Sequence, residues 1–408
     1  MTNTHSEVLI VGGGPAGASL AFALARAGVD VRVVDRARFP RPKPCAEYLS
    51  PEASRILAAM EVLDAVEGSG AAALAGIRVR APNGAVIHGD FAASHGYRGF
   101  RDRGLSVRRE RLDAMLLDAA RRAGAHVVER ARATDLLRAN GRVIGATLLE
   151  EGASRDARAS IVIGADGLRS VVARRLGLAR VARWPRRLAL VTHYEGVGGI
   201  GEHGEMHVER DGYVGIADVG HGTTTVALVV PAARSREIAG DRAGFLDQWL
   251  AARAHLRPRF AHARRVSPVV ATGPFASHAR RAWAPGAALV GDAADFFDPF
   301  TGEGIYAALR GGELLAGFVL EALGASKERA ADDAFARYDA ARRREFSGKW
   351  TVERVIGLVV GSAPLINRAA TRLAARKDLA DLLIGVTGDF VPAREVVRAG
   401  YIWNVFGL

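Results

Sequence analysis

The sequence predicts an α/β fold carrying an antiparallel β insertion and a helical C-terminal region. Three observations predict it. Residues 8–36 read V-L-I-V-G-G-G-P-A-G-A-S-L-A-F-A-L-A-R-A-G-V-D-V-R-V-V-D-R, which is strand, glycine turn, helix and second strand in succession. Two later stretches, I-V-I-G-A-D-G at 161–167 and A-L-V-G-D-A at 288–293, again run an apolar strand into a glycine turn. Between them, residues 187–230 are β-prone segments separated by Gly or Asp-Gly turns, as in an antiparallel sheet inserted into an α/β chain.

The first stretch has G-x-G-x-x-G spacing at Gly12, Gly14 and Gly17. Gly12 allows the tight turn, Gly14 lets backbone approach a pyrophosphate, and Gly17 lets helix and strand pack closely. Pro15 and Ala16 open the helix, whose free N–H groups and positive dipole end suit phosphates. Gly28 suits its C-terminal stop. A strand over 29–34 ends on Asp35, followed by Arg36. Asp35 lies 18 residues beyond Gly17, where a carboxylate can accept a ribose hydroxyl. This makes a Rossmann-like dinucleotide site and leaves NAD and FAD open.

At 408 residues, 49% apolar and 25% charged, the chain has the composition of a globular protein with room for two or three lobes. The net charge of +12 comes almost wholly from arginine, since only Lys43, Lys327, Lys349 and Lys377 are lysines. The basic residues are dispersed among acids, so they read as solvated faces, and no nucleic-acid motif accompanies them. One cysteine, Cys45, excludes an intramolecular disulfide and a cysteine metal cluster. The histidines are scattered, and no metal site is expected. The start M-T-N-T-H-S-E predicts no signal peptide. The apolar stretch 355–367 is too short to span a bilayer, so a cytoplasmic protein is expected.

The remaining elements follow in order. Three prolines around Lys43 predict a rigid loop, and Ser50 then caps a helix whose first residue is Pro51. Residues 76–100 alternate and turn like strands of a separate antiparallel sheet. Leu112, Met115, Leu116, Ala119, Ala120 and Ala123 share one face of a helix ended by Gly124. Asn140-Gly141 marks a hairpin. Strands are expected near 188–195, 205–209, 213–217 and 223–230, and helices over about 245–254 and from Gly302. Residues 326–408 read as mainly helical, punctuated by Pro364 and Pro392. The expected organisation is a discontinuous FAD- or NAD-type nucleotide domain (1–75, 100–180 and 270–325), an inserted domain (76–99 and 181–269) for substrate, and a helical C-terminal region (326–408).

Three separated motifs coincide in order: G-G-G-P-A-G at 12–17 with Asp35, G-A-D-G-L-R-S at 164–170, and G-D-A-A-D-F-F-D-P-F-T-G-E-G at 291–304. Together they resemble the FAD-dependent oxidoreductases of the para-hydroxybenzoate hydroxylase fold over about residues 5–325. K-P-C at 43–45 and P-F-T-G-E-G at 299–304 most resemble the geranylgeranyl reductase group, which includes prenyl-chain reductases and many flavin monooxygenases of secondary metabolism. The resemblance implies that Gly12, Gly14, Pro15, Ala16, Gly17, Asp35 and Arg36 bind the ADP half of FAD, and that Arg109 and the Asp166-Gly167 pair support the cofactor. It implies that Asp292 accepts ribityl hydroxyls, and that N–H groups of the loop Thr301–Gly304, with Gly302 and Gly304, face the flavin ring. The cysteine matching Cys45 lies near that ring in the reductases. Ala46 stands where that group often has glycine.

The prenyl reductases' W-x-F-P segment is missing: the counterpart at 212–220 keeps Tyr213 alone. The halogenases' W-x-W-x-I-P segment is also missing. No second glycine motif exists for a resident nicotinamide nucleotide, so NAD(P)H is expected as a transient reductant or through a separate reductase. The expected activity is flavin-dependent hydroxylation of an apolar, aromatic substrate. The alternative is a geranylgeranyl reductase-like C=C reductase or dehydrogenase, and a halogenase or non-catalytic flavoprotein stands behind both. Cys45, Tyr213 and Pro299 are the catalytic candidates, and His193, Met206, Phe296, Phe297 and Phe300 the pocket candidates. A small apolar, carrier-bound substrate and peripheral membrane contact are the expected partners.

Overall fold

The computed structural model describes residues 5–181, 186–275 and 277–407. Its organising sheet is built on the strand His5–Val11, in which Val8, Leu9 and Ile10 are wholly buried. That strand lies parallel between Val31–Val34 and the C-terminal end of Ala153–Gly164. His126–Val128 continues the parallel order on one side and Ala287–Leu289 on the other. The run of buried valines and leucines follows because both faces of a parallel sheet are covered by helices. Ala131–Ala139 and Arg142–Glu150 add an antiparallel hairpin, with Asn140 and Gly141 at positive φ in its two-residue turn.

The helix Pro15–Arg26 packs on this sheet against Gly304–Leu323. A Cβ on Gly312 would lie 2.8 Å from the Ala16 carbonyl oxygen, so glycine there sets the approach of the two helices. Ser19 Oγ donates to the Leu309 carbonyl at 2.9 Å across the same contact. Ser50 caps Pro51–Ala59, accepting from Ala53 N. The second strand begins at Val31 rather than at 29, because Gly28 and Val29 complete the helix terminus.

The inserted sheet runs in the order Arg264–Arg265, Arg187–Glu195, Thr223–Pro231, Gly212–Asp218, His203–Glu209, Gly76–Arg80, Val86–Asp90. All pairs are antiparallel except His203–Glu209 with Gly76–Arg80. One face, with Leu190, Val214 and Leu228, packs on Leu246, Trp249 and Leu250 of the helix Arg242–Ala251. The other, with Val191, Tyr213 and Val229, packs on the C-terminal helices. Coverage on both sides is why Thr223–Val230 is buried at every position. Strands end at Asp90, so 91–100 is loop rather than sheet, apart from a bridge between Ser94 and Tyr97. The helix expected at 245–254 starts three residues earlier because Asp241 caps it through Gly244 N.

The C-terminal region is helical throughout most of its length. Glu328–Val360 is one helix of 33 residues. Its first half places Ala334, Phe335 and Tyr338 in the core of the parallel sheet, and its second half places Val352 and Val360 against the inserted sheet. One helix therefore ties both cores together. Among the terminal aromatics Tyr401 is buried, whereas Trp403 is 64% exposed. No helix among the described residues is long and apolar enough to cross a membrane.

Candidate functional site

The glycine loop is shaped for a diphosphate. Gly12 sits at φ +111, and a Cβ there would meet the Ala165 carbonyl oxygen at 2.4 Å. A Cβ on Gly17 would fall 1.9 Å from the Gly12 carbonyl oxygen. Gly14 is different: the nearest atom to a Cβ would be Arg41 Nη2 at 3.6 Å, so its missing side chain leaves open space. The helix behind it starts with Pro15, has no side-chain cap and carries no acid in its first turn. An uncapped helix N-terminus with a guanidinium beside it fits an anionic pyrophosphate. Asp35 Oδ2 accepts from Gly13 N at 2.9 Å and Oδ1 from Ala37 N at 2.8 Å, so this carboxylate also fixes the loop. Arg36 is exposed beside it.

The second and third motifs meet the proline loop at Lys43. Burial lowers the pKa of Lys43, Asp292 works against this, and Arg109 and Arg41 add to the lowering. The Lys43 ammonium also lies against Gly167. Burial raises the pKa of Asp292, partly offset by Lys43 and Arg109. Arg109 opens the helix Arg109–Arg122 and clamps Asp113 by two bonds of 2.7 and 2.8 Å. Burial works against its charge, but Asp113 and the Cys45 sulfur outweigh that and hold its pKa above the usual arginine value. Asp166 is spent differently: its Oδ2 accepts from Val171 N at 2.6 Å at the start of the short helix Val171–Arg175. Its Oδ1 is buried with no hydrogen-bond partner among the described residues. An open cradle at Gly14, cations at Arg41, Lys43 and Arg109, and acceptors at Asp292 and Asp166 are the donor and acceptor set that FAD needs.

Cys45 begins a polar chain. Its sulfur accepts from Glu47 N at 3.3 Å. Glu47 sits at φ +65, a conformation that costs a non-glycine residue energy and persists only when over-determined. Three bonds determine it here. Glu47 O accepts from Val107 N at 3.1 Å, Oε1 accepts from Arg109 N at 2.9 Å, and Oε2 lies 2.8 Å from His193 Nε2. His193 Nδ1 lies 2.9 Å from Ser267 Oγ. Glu47 is buried and His193 nearly so, which places this chain inside the molecule between the two sheets.

The loop after Asp292 is held from beneath. Asp298 accepts from Phe300 N at 3.1 Å, Tyr213 Oη at 2.7 Å and Arg187 Nη1 at 2.7 Å. Tyr213 is thus a buried anchor, 2% exposed, rather than a free phenol facing a pocket as a catalytic candidate would. Pro299 opens the turn Pro299–Thr301, and Gly302 stands at φ +74 with Tyr48 where a Cβ would go. The helix from Gly304 starts two residues later than Gly302 because that left-handed turn precedes it. Behind the loop, Lys349 pairs with Asp389 and with Glu303 at 3.4 Å. Glu353 stands one helical turn on from Lys349 and is half-buried. Burial, together with Glu303 and the neighbouring aspartates, raises its pKa to about 8.

The aromatic candidates are brought to this region. Phe296 packs on Phe275, Phe300 on Tyr213, and Phe297 lies between His278 and Trp350. Met206 packs against the same core as Phe296 and Phe300. Tyr194, next to His193 on the same strand, points to the opposite face and donates to Asp247 at 3.1 Å. Sequence reasoning missed Glu47, Ser267, Asp298, Lys349, Glu353 and Asp389. One signal for Lys349 was present, since two of only four lysines in this arginine-rich chain, Lys43 and Lys349, line the site. The scattered histidines of the sequence also gave no sign of one further grouping. Strand pairing brings the dispersed His88, Asp90 and His203 within ligand distance of one another.

Residues 5–349 match the family model described as FAD binding domain. The digeranylgeranylglycerophospholipid reductase of Methanoculleus marisnigri is 30% identical over 355 residues, 85% of this chain and 84% of that protein. CmlS, a flavin-dependent halogenase, superposes with a TM-score of 0.76 at 25% identity over 85% of this chain, which spans 63% of the halogenase's length. A geranylgeranyl bacteriochlorophyll reductase-like protein of Thermoplasma acidophilum gives 0.73 at 23% identity, covering 99% of this chain and 96% of that one, a likeness of fold. With the family model running from the first strand into the long C-terminal helix, the chain belongs to the FAD binding domain family, and it is an FAD-dependent oxidoreductase.

Proposed function

We propose that this oxidoreductase saturates a C=C bond in an apolar, isoprenoid-like substrate. NAD(P)H would act as a transient electron source, directly or through a separate reductase. The observation that carries the reading is the buried chain Cys45–Glu47–His193–Ser267 beside Arg109. Saturating a C=C bond takes a hydride on one carbon and a proton on the other. FAD, bound and reduced, would supply the hydride. The Glu47–His193 pair would hold the proton, with Ser267 orienting the imidazole through Nδ1 and the Cys45 thiol lining the approach. Val191 and Val229 of the inserted sheet and Phe296 and Phe300 of the flavin-side loop supply apolar surface. The name of the Methanoculleus marisnigri relative, a reductase of a geranylgeranyl lipid, supports the same reading.

Hydroxylation is the second reading. The absence of the prenyl reductases' aromatic segment at 212–220 favours it. One experiment separates the two. Holoenzyme reduced by dithionite is mixed anaerobically with a geranylgeranyl lipid in deuterated water. Saturation is expected, with two solvent deuteriums per reduced bond, because dithionite supplies only electrons and both added hydrogens come from solvent. Turnover only after oxygen is admitted, with oxygen appearing in the product, would overturn the reductase reading.

A further inference from the structure

The strand register of the inserted sheet stacks three chemistry-bearing residues on one side. His203 pairs with Gly76, and Gly76 pairs with Asp90 on the next strand. His88 precedes Asp90 by two positions and so shares its face. Gly76 lacks a side chain, so His203 and Asp90 reach each other across the strand between them. The result is a triangle of single atoms. His88 Nε2 and His203 Nε2 are 3.0 Å apart, His203 Nε2 and Asp90 Oδ1 are 2.9 Å apart, and His88 Nε2 and Asp90 Oδ1 are 3.4 Å apart.

We propose that His88, Asp90 and His203 form a site for a divalent transition metal of the zinc class, on the edge of the inserted sheet. Tetrahedral zinc bound at about 2.0–2.1 Å sets its ligand atoms about 3.3–3.4 Å apart. The observed edges need to open by only a few tenths of an ångström. A shared proton can satisfy two of the three atoms, whereas a cation at the centre satisfies all three. Two imidazoles and one carboxylate match zinc in softness better than they match calcium or magnesium.

The surroundings agree with this use. Lys377 Nζ takes Asp90 Oδ2 at 2.8 Å and leaves Oδ1 to the triangle. Asp381 Oδ1 accepts from Asp90 N at 2.9 Å and fixes the strand end. Lys377 Nζ also donates to Asp381 Oδ1 at 2.6 Å. The two histidines and Asp90 lie on strands of the inserted sheet, while Lys377 and Asp381 come from the helix Lys377–Thr387. A bound ion would therefore clamp the sheet edge to the C-terminal region.

The test uses the tag-free, FAD-loaded chain, stripped with a chelator and titrated with zinc chloride in a calorimeter. One equivalent is expected to bind with a Kd of about 1 μM or tighter. His203→Ala and His88→Gln should each weaken it at least tenfold. His207→Ala, on the separate stacked pair with His255, should leave it unchanged. Zinc should also raise the melting temperature of wild type and not of His203→Ala, with FAD absorbance the same in both. No saturable binding to wild type would overturn the proposal. So would binding that survives both site variants, or binding lost in His207→Ala alone.

Discussion

Two buried polar clusters flank the loop 291–304, and they are built on opposite principles. In the cluster of Glu47, His193 and Ser267, each carboxylate oxygen and each ring nitrogen has one partner at 2.8–2.9 Å. In the cluster of Glu303, Glu353, Asp389 and Lys349, three carboxyl groups share one ammonium. Glu303 Oε1 and Asp389 Oδ2 have no hydrogen-bond partner among the described residues. Matched partners hold a geometry. A surplus of buried carboxyls cannot all ionise, so the second cluster retains protons near neutral pH. The first can position a group, and the second can store a proton beside the loop that Glu303 belongs to.

The sharpest way to break this comparison is Lys349→Met. It removes the single cation of the second cluster and leaves its carboxyls unpaired. A loss of about 3–5 kcal/mol in urea unfolding at pH 8 is expected. A loss below about 1 kcal/mol would show that the carboxyls were already neutral.

Next comes the cofactor. Asp292→Ala should weaken FAD binding by about 1.5–3 kcal/mol, the worth of hydrogen bonds to a charged group. Asp166→Ala should instead cost about 1 kcal/mol of fold stability, because its carboxylate accepts from Val171 N at the start of Val171–Arg175, beside the Ser170 cap. Equilibrium FAD titration beside a thermal melt separates the two, and equal FAD affinities in wild type and Asp292→Ala would remove Asp292 from the site.

Glu47→Ala should cost about 1–3 kcal/mol of stability, since it strips the partner of Arg109 N and of His193 Nε2 while leaving the positive φ in place. A Glu47→Gln variant keeps the shape and isolates the charge. Its turnover should fall with FAD still bound, whereas unchanged turnover would deny the pair a role in handling the proton.

The pH dependence of stability sharpens the contrast further. Burial, with the other carboxylates adding and Lys349 opposing, raises Glu353 to about 8 and Asp389 to about 7. Between about pH 4 and 8 the folded chain therefore holds protons that the unfolded chain has released, and stability falls as pH rises. Glu353→Gln should flatten that fall, measured as urea midpoints at pH 5 and pH 8. The smallest effect on the fold is expected from Gly14→Ala, within about 0.5 kcal/mol, because its Cβ meets open space. FAD affinity should nevertheless drop in that variant, and an unchanged Kd would place the pyrophosphate elsewhere.

What the sequence by itself determined is local. The glycine spacing, the acid at Asp35, the Ser50 cap, the Asn140-Gly141 hairpin and the four β-prone runs of the inserted sheet each depend on neighbours a few residues away, so they were legible before any fold was known. Even there, Asp241 moved a helix start, because the cap that wins is settled by which residue the backbone can reach. The tertiary structure alone decided that Glu47 meets His193 across 146 positions of sequence, and that Lys349 faces Asp389. It also decided that Asp166 binds the first N–H of a helix, that Tyr213 is buried under Asp298, and that Trp403 faces solvent. Periodicity says which face of an element is apolar. It does not say which opposite element that face will meet. Strand register and the docking of one 33-residue helix against two cores settled that, and with it the polar contacts that the chemistry needs.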